Sequence, residues 1–97
     1  MDAALGSGET HSLPVRITNL RGLHARAAAK FVKTAGSVDA QIVVAKRDTE
    51  VPGSSILGLM MLAAGPGCEL ELRATGPEAG AALAALAKLI ADKFDEE

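Results

Sequence analysis

Segments with the two-residue apolar period of a β-strand alternate along this sequence with segments that have the period of an α-helix. Strand-like segments, marked by alternating apolar or β-branched residues, lie at residues 13–17, 38–45, 49–51 and 68–74. Helix-like segments lie at residues 24–35, 55–64 and from Pro77 to about residue 94. The order β-α-β-β-α-β-α predicts an α+β fold in which three helices cover one face of a four-stranded, largely antiparallel sheet.

The length of the chain limits its chemistry to the surface or a shallow notch. With 97 residues it forms one domain with a modest core, which leaves no room for a large enclosed active site. Residues 1–12 have neither the basic nor the apolar part of a signal peptide, so we expect a flexible N-terminal tail there. The domain itself is predicted to occupy residues 13–97.

Composition excludes several classes of protein. No apolar run approaches the roughly 18 residues of a membrane span, and the single cysteine, Cys68, excludes an internal disulfide. These features predict a cytoplasmic protein. The net charge of −2 argues against an extended basic surface that binds nucleic acid. An RNA-binding sheet would need exposed aromatic residues, and the chain has no Tyr or Trp, while its two Phe residues fit helix cores.

The basic residues are concentrated in one part of the sequence. No Asp or Glu occurs between Arg16 and Val38, whereas half of the ten Lys and Arg residues lie there or at its edge: Arg16, Arg21, Arg26, Lys30 and Lys33. The acidic residues gather instead at the C-terminus and in the last strand. This asymmetry predicts a local anion site or a surface for an acidic partner.

His24 stands where the first strand gives way to the first helix. A helix N-terminus carries about half a positive charge and binds phosphate readily, and Arg26 is close enough to reach the same anion. The dipole disfavours imidazolium, so the ring is expected to be neutral and nucleophilic. Two interpretations stay open from the residues alone: His24 carries a phosphoryl group, or it only caps the helix beside solvated basic side chains.

Two motifs and their separation resemble a known family. They are Gly22-Leu23-His24-Ala25-Arg26 with Phe31-Val32, and Ser55-Ile56-Leu57-Gly58-Leu59-Met60, followed by Gly76 before the last helix. The sequence is similar in this way, over residues 13–94, to the HPr family of histidine-containing phosphocarriers of the bacterial phosphoenolpyruvate-dependent phosphotransferase system. The resemblance implies an open-faced β-sandwich. It also implies that His24 accepts phosphate from enzyme I on Nδ1, that Arg26 stabilises the phosphoryl group, and that an enzyme IIA-type domain receives it.

The second motif of the resemblance concerns regulation and docking. Ser55 matches the serine that HPr kinase/phosphorylase modifies in many bacteria, although Ser54 or Ser55 is also expected simply to cap the helix. The helix is apolar almost all round, so some of its side chains should be exposed for partner docking. The docking residues implied are Ile56, Leu57, Met60 and Met61.

The sequence also departs from the family pattern. Ala27 stands where proline is common after the arginine, which leaves open whether the chain serves sugar transport or the nitrogen-related branch of the system. The alternative function is a regulatory binding protein that transfers no phosphate and acts through Ser55 and residues 55–62. A free-standing enzyme is disfavoured because the sequence offers no metal-ligand cluster, no P-loop and no carboxylate near His24. The resemblance implies a carrier without a cofactor, which we expect to be monomeric.

Overall fold

Four strands and three helices follow one another in the predicted β-α-β-β-α-β-α order. The structure is a computed structural model that describes residues 10–96. The strands are β1 (Thr10–Arg16), β2 (Gln41–Lys46), β3 (Thr49–Pro52) and β4 (Glu69–Thr75). The helices are α1 (Ala25–Gly36), α2 (Ile56–Met61) and α3 (Ala79–Ala91). The predicted fold class is thereby confirmed.

The sheet is antiparallel throughout, with strand order β1-β4-β2-β3. Leu72 of β4 lies opposite Leu13 of β1 on one side and Val44 of β2 on the other. Leu72 and Val44 are fully buried, and the alternation along β4 leaves Glu69 and Glu71 exposed on the opposite face. One face of the sheet is therefore covered by the helices and the other carries charged residues.

The covering helices bury the stripes that their periodicity predicts. In α1, Phe31 is 1% exposed, and Ala28 and Ala35 are buried beside it. In α3 the buried side chains are Ala79, Ala82, Leu83, Leu86 and Ile90. Burying one Leu, Ile or Phe side chain contributes about 1.5–3 kcal/mol, so these stripes fix how the helices lie on the sheet.

The first strand begins earlier than expected. Residues 10–12, assigned to the flexible tail from the sequence, pair with β4, and the hydroxyls of Thr10 and Thr75 are 2.8 Å apart. These residues could not be recognised as a strand from their pattern. An edge strand is held by backbone hydrogen bonds and accepts polar side chains, so it need not show alternating apolar residues. The rest of the predicted tail, residues 1–9, lies outside the described residues.

The end of the last helix differs from the prediction. Helix α3 stops at Ala91 rather than near residue 94, and Lys93, Phe94 and Asp95 have positive φ angles of 57°, 56° and 61°. This left-handed turn ends the regular helix and still buries Phe94 completely. The turn also determines the position of the next residue, Glu96.

Thr75 and Glu78 have the three-residue spacing of a capping box, but α3 does not begin with one. Thr75 remains in β4, opposite Thr10 and Gln41, and Glu78 is the N-cap residue without a side-chain cap bond. The Glu78 carboxylate instead accepts a 2.6 Å hydrogen bond from the backbone N–H of Asp39. Sheet pairing thus takes precedence over the local helix signal.

Candidate functional site

The loop between β1 and α1 is held in place at Gly22. This residue has a φ of +62°, and the next backbone N–H, that of Leu23, donates a 3.0 Å hydrogen bond to the Ala64 carbonyl beyond α2. Inside the loop, the buried Asn19 amide donates to the Gly22 carbonyl at 2.9 Å. These contacts fix the residues that lead into His24.

His24 is the N-cap residue of α1, as its place in the sequence predicts. Its carbonyl accepts the first helical bond, from Ala28 N–H at 2.9 Å, but its side chain makes no capping hydrogen bond. The side chain is 16% exposed. The orientation of the ring is therefore set by a different partner and not by the backbone N–H groups at the start of α1.

That partner is Glu96, a residue that the sequence analysis did not identify. The Nε2 atom of His24 is hydrogen-bonded to Oε2 of Glu96, and the second carboxylate oxygen accepts a 3.1 Å bond from the Asn19 amide. Glu96 is 72 positions away from His24 in the chain. In the sequence, the only indication of this contact was the contrast between the acid-free basic segment that contains His24 and the acidic C-terminus.

The surroundings of Glu96 favour its ionised form. The hydrogen bond from His24, with smaller contributions from Asn19 and Arg21, holds the pKa of the Glu96 carboxyl below its usual value, against the opposing effect of its partial burial. The carboxylate therefore stabilises the folded protein only while it is charged.

We expect the stabilisation provided by Glu96 to be lost in acid. Because the folded-state pKa lies below the unfolded value of 4.5, the contribution is fully present above that pH and disappears as the pH falls through the folded pKa. Thermal unfolding of the wild-type protein and of Glu96→Gln measures this contribution. Their difference in Tm at pH 6 should shrink toward pH 3, and a difference independent of pH would contradict the expectation.

Cationic side chains meet at one side of His24. Arg21, Arg26 and Lys30 line the same shallow cleft as His24, the exposed Leu20 and the two carboxylates Asp95 and Glu96. The ammonium group of Lys30 donates a 2.6 Å hydrogen bond to the Phe94 carbonyl. The cleft thus combines the positive end of α1 with basic side chains, which suits an anion.

Two other members of the predicted basic group lie elsewhere. Arg16 forms a 2.8 Å ion pair with Glu69 across β1 and β4 on the open face of the sheet, and Lys33 lies in the last turn of α1. Sequence proximity therefore overestimated the size of the basic cluster around His24.

Helix α2 begins at Ser55 and presents an apolar surface. The Ser55 hydroxyl accepts a 2.9 Å hydrogen bond from the Gly58 N–H, so this serine, one of the two expected to cap the helix, is the cap. Four large side chains of the helix are 40–74% exposed: Ile56, Leu57, Met60 and Met61. We call these four residues the α2 patch.

The α2 patch reaches the candidate site. Met60 and His24 border the same surface depression, together with Arg21 and the backbone around Ala64. Leu20, 77% exposed, adds an apolar side chain on the other side of His24 that the sequence analysis did not single out. A partner that covers the α2 patch would therefore also contact the surroundings of the His24 ring.

Comparison with known proteins identifies relatives over nearly the whole chain. The family model described as the PTS HPr component phosphorylation site matches residues 12–92. The "Phosphocarrier protein HPr" of Pseudomonas aeruginosa is 48% identical over 88% of this chain and 96% of its own length. The "Phosphocarrier protein NPr" of Shewanella violacea is 43% identical over 84% of this chain and 90% of its own.

A solved structure has the same fold. HPr-C-His from Thermoanaerobacter tengcongensis superimposes with a TM-score of 0.85 and 41% sequence identity, covering 90% of this chain and 98% of that one. In the part of this chain that the structure describes, no helix is both long and apolar enough to cross a membrane.

Proposed function

The chain belongs to the HPr family, whose members are phosphocarriers of the phosphotransferase system rather than enzymes, and we propose that it carries a phosphoryl group on Nδ1 of His24. Phosphorylated enzyme I is the donor and an enzyme IIA-type domain is the acceptor. The carrier acts in the cytoplasm as a monomer and without a cofactor. The position of the His24 side chain supports this proposal best. His24 is the N-cap residue of α1, but its side chain forms no capping hydrogen bond and lies in a cleft with Arg21, Arg26 and Lys30.

The transfer is a pair of in-line substitutions at phosphorus. The lone pair of Nδ1 attacks the phosphoryl group of the donor, the bond between phosphorus and the donor atom breaks, and its electron pair returns to the donor. The second transfer reverses these steps toward the acceptor. The protein has to place the nucleophile and stabilise the anion, and no additional reactant is needed.

The charges around His24 support reversible binding of the phosphoryl group. The dipole of α1 contributes about 0.3–1 kcal/mol toward an anion at its N-terminus. A charge-assisted hydrogen bond from Arg26 adds about 1.5–3 kcal/mol. Because about 1.4 kcal/mol changes an equilibrium tenfold, such contributions hold the group without preventing its transfer.

Docking is proposed to use the α2 patch. Methionine side chains adapt to different apolar surfaces, and the same surface has to bind both enzyme I and the acceptor in turn. The depression shared by Met60 and His24 supports this role, because a partner seated there would bring its own phosphoryl-bearing or accepting group toward His24.

Ser55 is proposed as a regulatory site for HPr kinase/phosphorylase. Its hydroxyl already lies at a helix start, where a phosphate is tolerated, so the helix should persist after modification. The added charge, about −2, would stand directly beside the α2 patch. Docking to an apolar or acidic partner should then weaken.

The substitution Ser55→Asp is expected to weaken docking to enzyme I by about tenfold, a change equal to roughly 1.4 kcal/mol. The measurement is the KM of the carrier in phosphoryl transfer from enzyme I. Ser55→Ala is the control, because it removes the cap bond to Gly58 without adding charge. Unchanged kinetics of Ser55→Asp, or an equal effect in both variants, would argue against a charge switch at Ser55.

Phosphorus NMR tests the carrier function directly. The protein is incubated with phosphoenolpyruvate, magnesium and an enzyme I whose activity is established on another carrier. We expect an acid-labile phosphohistidine signal. Its absence would reject the carrier function and favour the regulatory binding protein that acts through Ser55, for which the same experiment with ATP and the serine kinase is the next test.

A further inference from the structure

We propose that Glu96, oriented by Asn19, is a positioning residue that keeps the proton of the His24 ring on Nε2 and leaves Nδ1 free to accept phosphate. This inference rests on the proposed function, because it explains which ring nitrogen is the nucleophile. It assigns a role to two residues that lie outside both sequence motifs.

The first step concerns the proton between His24 and Glu96. An ionised carboxylate can only accept hydrogen bonds, and a neutral imidazole has one N–H. Because Oε2 of Glu96 is bonded to Nε2 of His24, that nitrogen must carry the hydrogen. The lone pair of the neutral ring is then on Nδ1. The lowered pKa of Glu96 supports the ionised state on which this step depends.

The second step concerns Asn19, which is 0% exposed. Its amide nitrogen donates to two acceptors, the Gly22 carbonyl at 2.9 Å and Oε1 of Glu96 at 3.1 Å. Among the described residues, the amide oxygen of Asn19 has no hydrogen-bond partner. A flipped amide would direct this oxygen at two other oxygens, so Asn19 is held as a donor and requires an acceptor at Oε1.

The third step concerns the turn that delivers Glu96. Three consecutive residues without glycine, Lys93, Phe94 and Asp95, adopt left-handed backbone angles. Such strain persists only where the surrounding structure imposes it. Burial of the Phe94 ring and the hydrogen bond from Lys30 to the Phe94 carbonyl hold the turn. The turn thereby holds the Glu96 carboxylate against the His24 ring.

The arrangement also affects the transfer itself. When Nδ1 attacks phosphorus while Nε2 retains its hydrogen, the ring becomes positively charged, and the carboxylate at Nε2 stabilises that charge. When the phosphoryl group leaves for the acceptor, the N–P electron pair returns to Nδ1. The proton stays on Nε2 throughout, so no outside acid or base is required.

The substitution Glu96→Gln separates this role from simple packing. Asn19 needs an acceptor, so the glutamine oxygen should face Asn19 and its NH₂ group should face Nε2 of His24. Nε2 would then have to accept, and the proton would move to Nδ1, as happens when the aspartate of a Ser-His-Asp triad is replaced by asparagine. Glu96→Ala removes the carboxylate without imposing the wrong tautomer.

The measurement combines nitrogen-15 NMR of the free protein with the rate of phosphoryl acceptance from enzyme I. We expect the wild-type ring to be protonated on Nε2, Glu96→Ala to be a mixture, and Glu96→Gln to be protonated on Nδ1. Glu96→Gln should accept phosphate about tenfold more slowly than Glu96→Ala, equal to about 1.4 kcal/mol.

The control is Glu69→Gln, which makes the same substitution at an exposed carboxylate on the open face of the sheet, where Glu69 pairs with Arg16. It should keep the wild-type tautomer and rate. A wild-type tautomer and rate in Glu96→Gln, or an equal loss in Glu69→Gln, would overturn the proposal. A wild-type protein that takes no phosphate from an active enzyme I would reject the proposed function instead, while the tautomer of the free protein tests Glu96 independently.

Discussion

Replacing His24 by alanine is expected to abolish phosphoryl acceptance while leaving the fold intact. The imidazole is the proposed nucleophile, and alanine offers no atom that can bond to phosphorus. The helical cap should survive, because His24 caps α1 with its backbone carbonyl and not with its side chain. Loss of the largely buried contact with Glu96 should lower the stability by about 1–3 kcal/mol.

The phosphohistidine signal in phosphorus NMR measures the effect of His24→Ala, and the circular dichroism spectrum checks the fold. The matched control is His11→Ala, which removes the other histidine of the chain, located on the edge strand β1. This control should accept phosphate at the wild-type rate. Phosphorylation of His24→Ala at another residue would refute the assignment of His24 as the acceptor.

Local patterns allowed the fold to be predicted from the sequence. Leu70, Leu72 and Ala74 alternate with charged residues, and such an alternation has one stable placement, with the apolar face under the helices. The N-cap positions of His24 and Ser55 are also local features, set by the few residues around them. These elements could be predicted because neighbouring residues alone determine them.

The contact between Glu96 and His24 could not be predicted in the same way. It depends on a left-handed turn built without glycine, which no propensity rule favours. That turn exists because Phe94 fills the core and Lys30 binds its carbonyl, and both contacts join distant parts of the chain. Thr75 illustrates the same limit, because pairing within the sheet excludes the helix cap that its local sequence predicts.

The second large effect is expected at Gly22. A Cβ atom at this position would lie 2.2 Å from the Ala64 carbonyl oxygen and 2.9 Å from the Gly65 Cα, both backbone atoms. The left-handed φ of +62° adds about 1–2 kcal/mol of strain for alanine, and overlap with packed atoms adds about 1–3 kcal/mol. We therefore expect Gly22→Ala to lower the free energy of unfolding by about 3 kcal/mol.

The substitution should also impair phosphoryl transfer, because the overlap forces the loop away from Ala64 and weakens the bond between Leu23 N–H and the Ala64 carbonyl. His24 follows directly in the chain, so its ring should move relative to Glu96 and Arg26. Urea unfolding measures the stability. The rate of phosphoryl acceptance under folding conditions shows whether the displaced ring still accepts phosphate as fast as in the wild type.

Gly67→Ala distinguishes the two causes of the effect at Gly22. Gly67 has a φ of +85°, but a Cβ atom there would meet nothing within 4 Å. Only the backbone strain of about 1–2 kcal/mol should appear, and phosphoryl acceptance should be unchanged. If both variants lose the same stability and neither changes the rate, the close approach of Gly22 to Ala64 does not position His24.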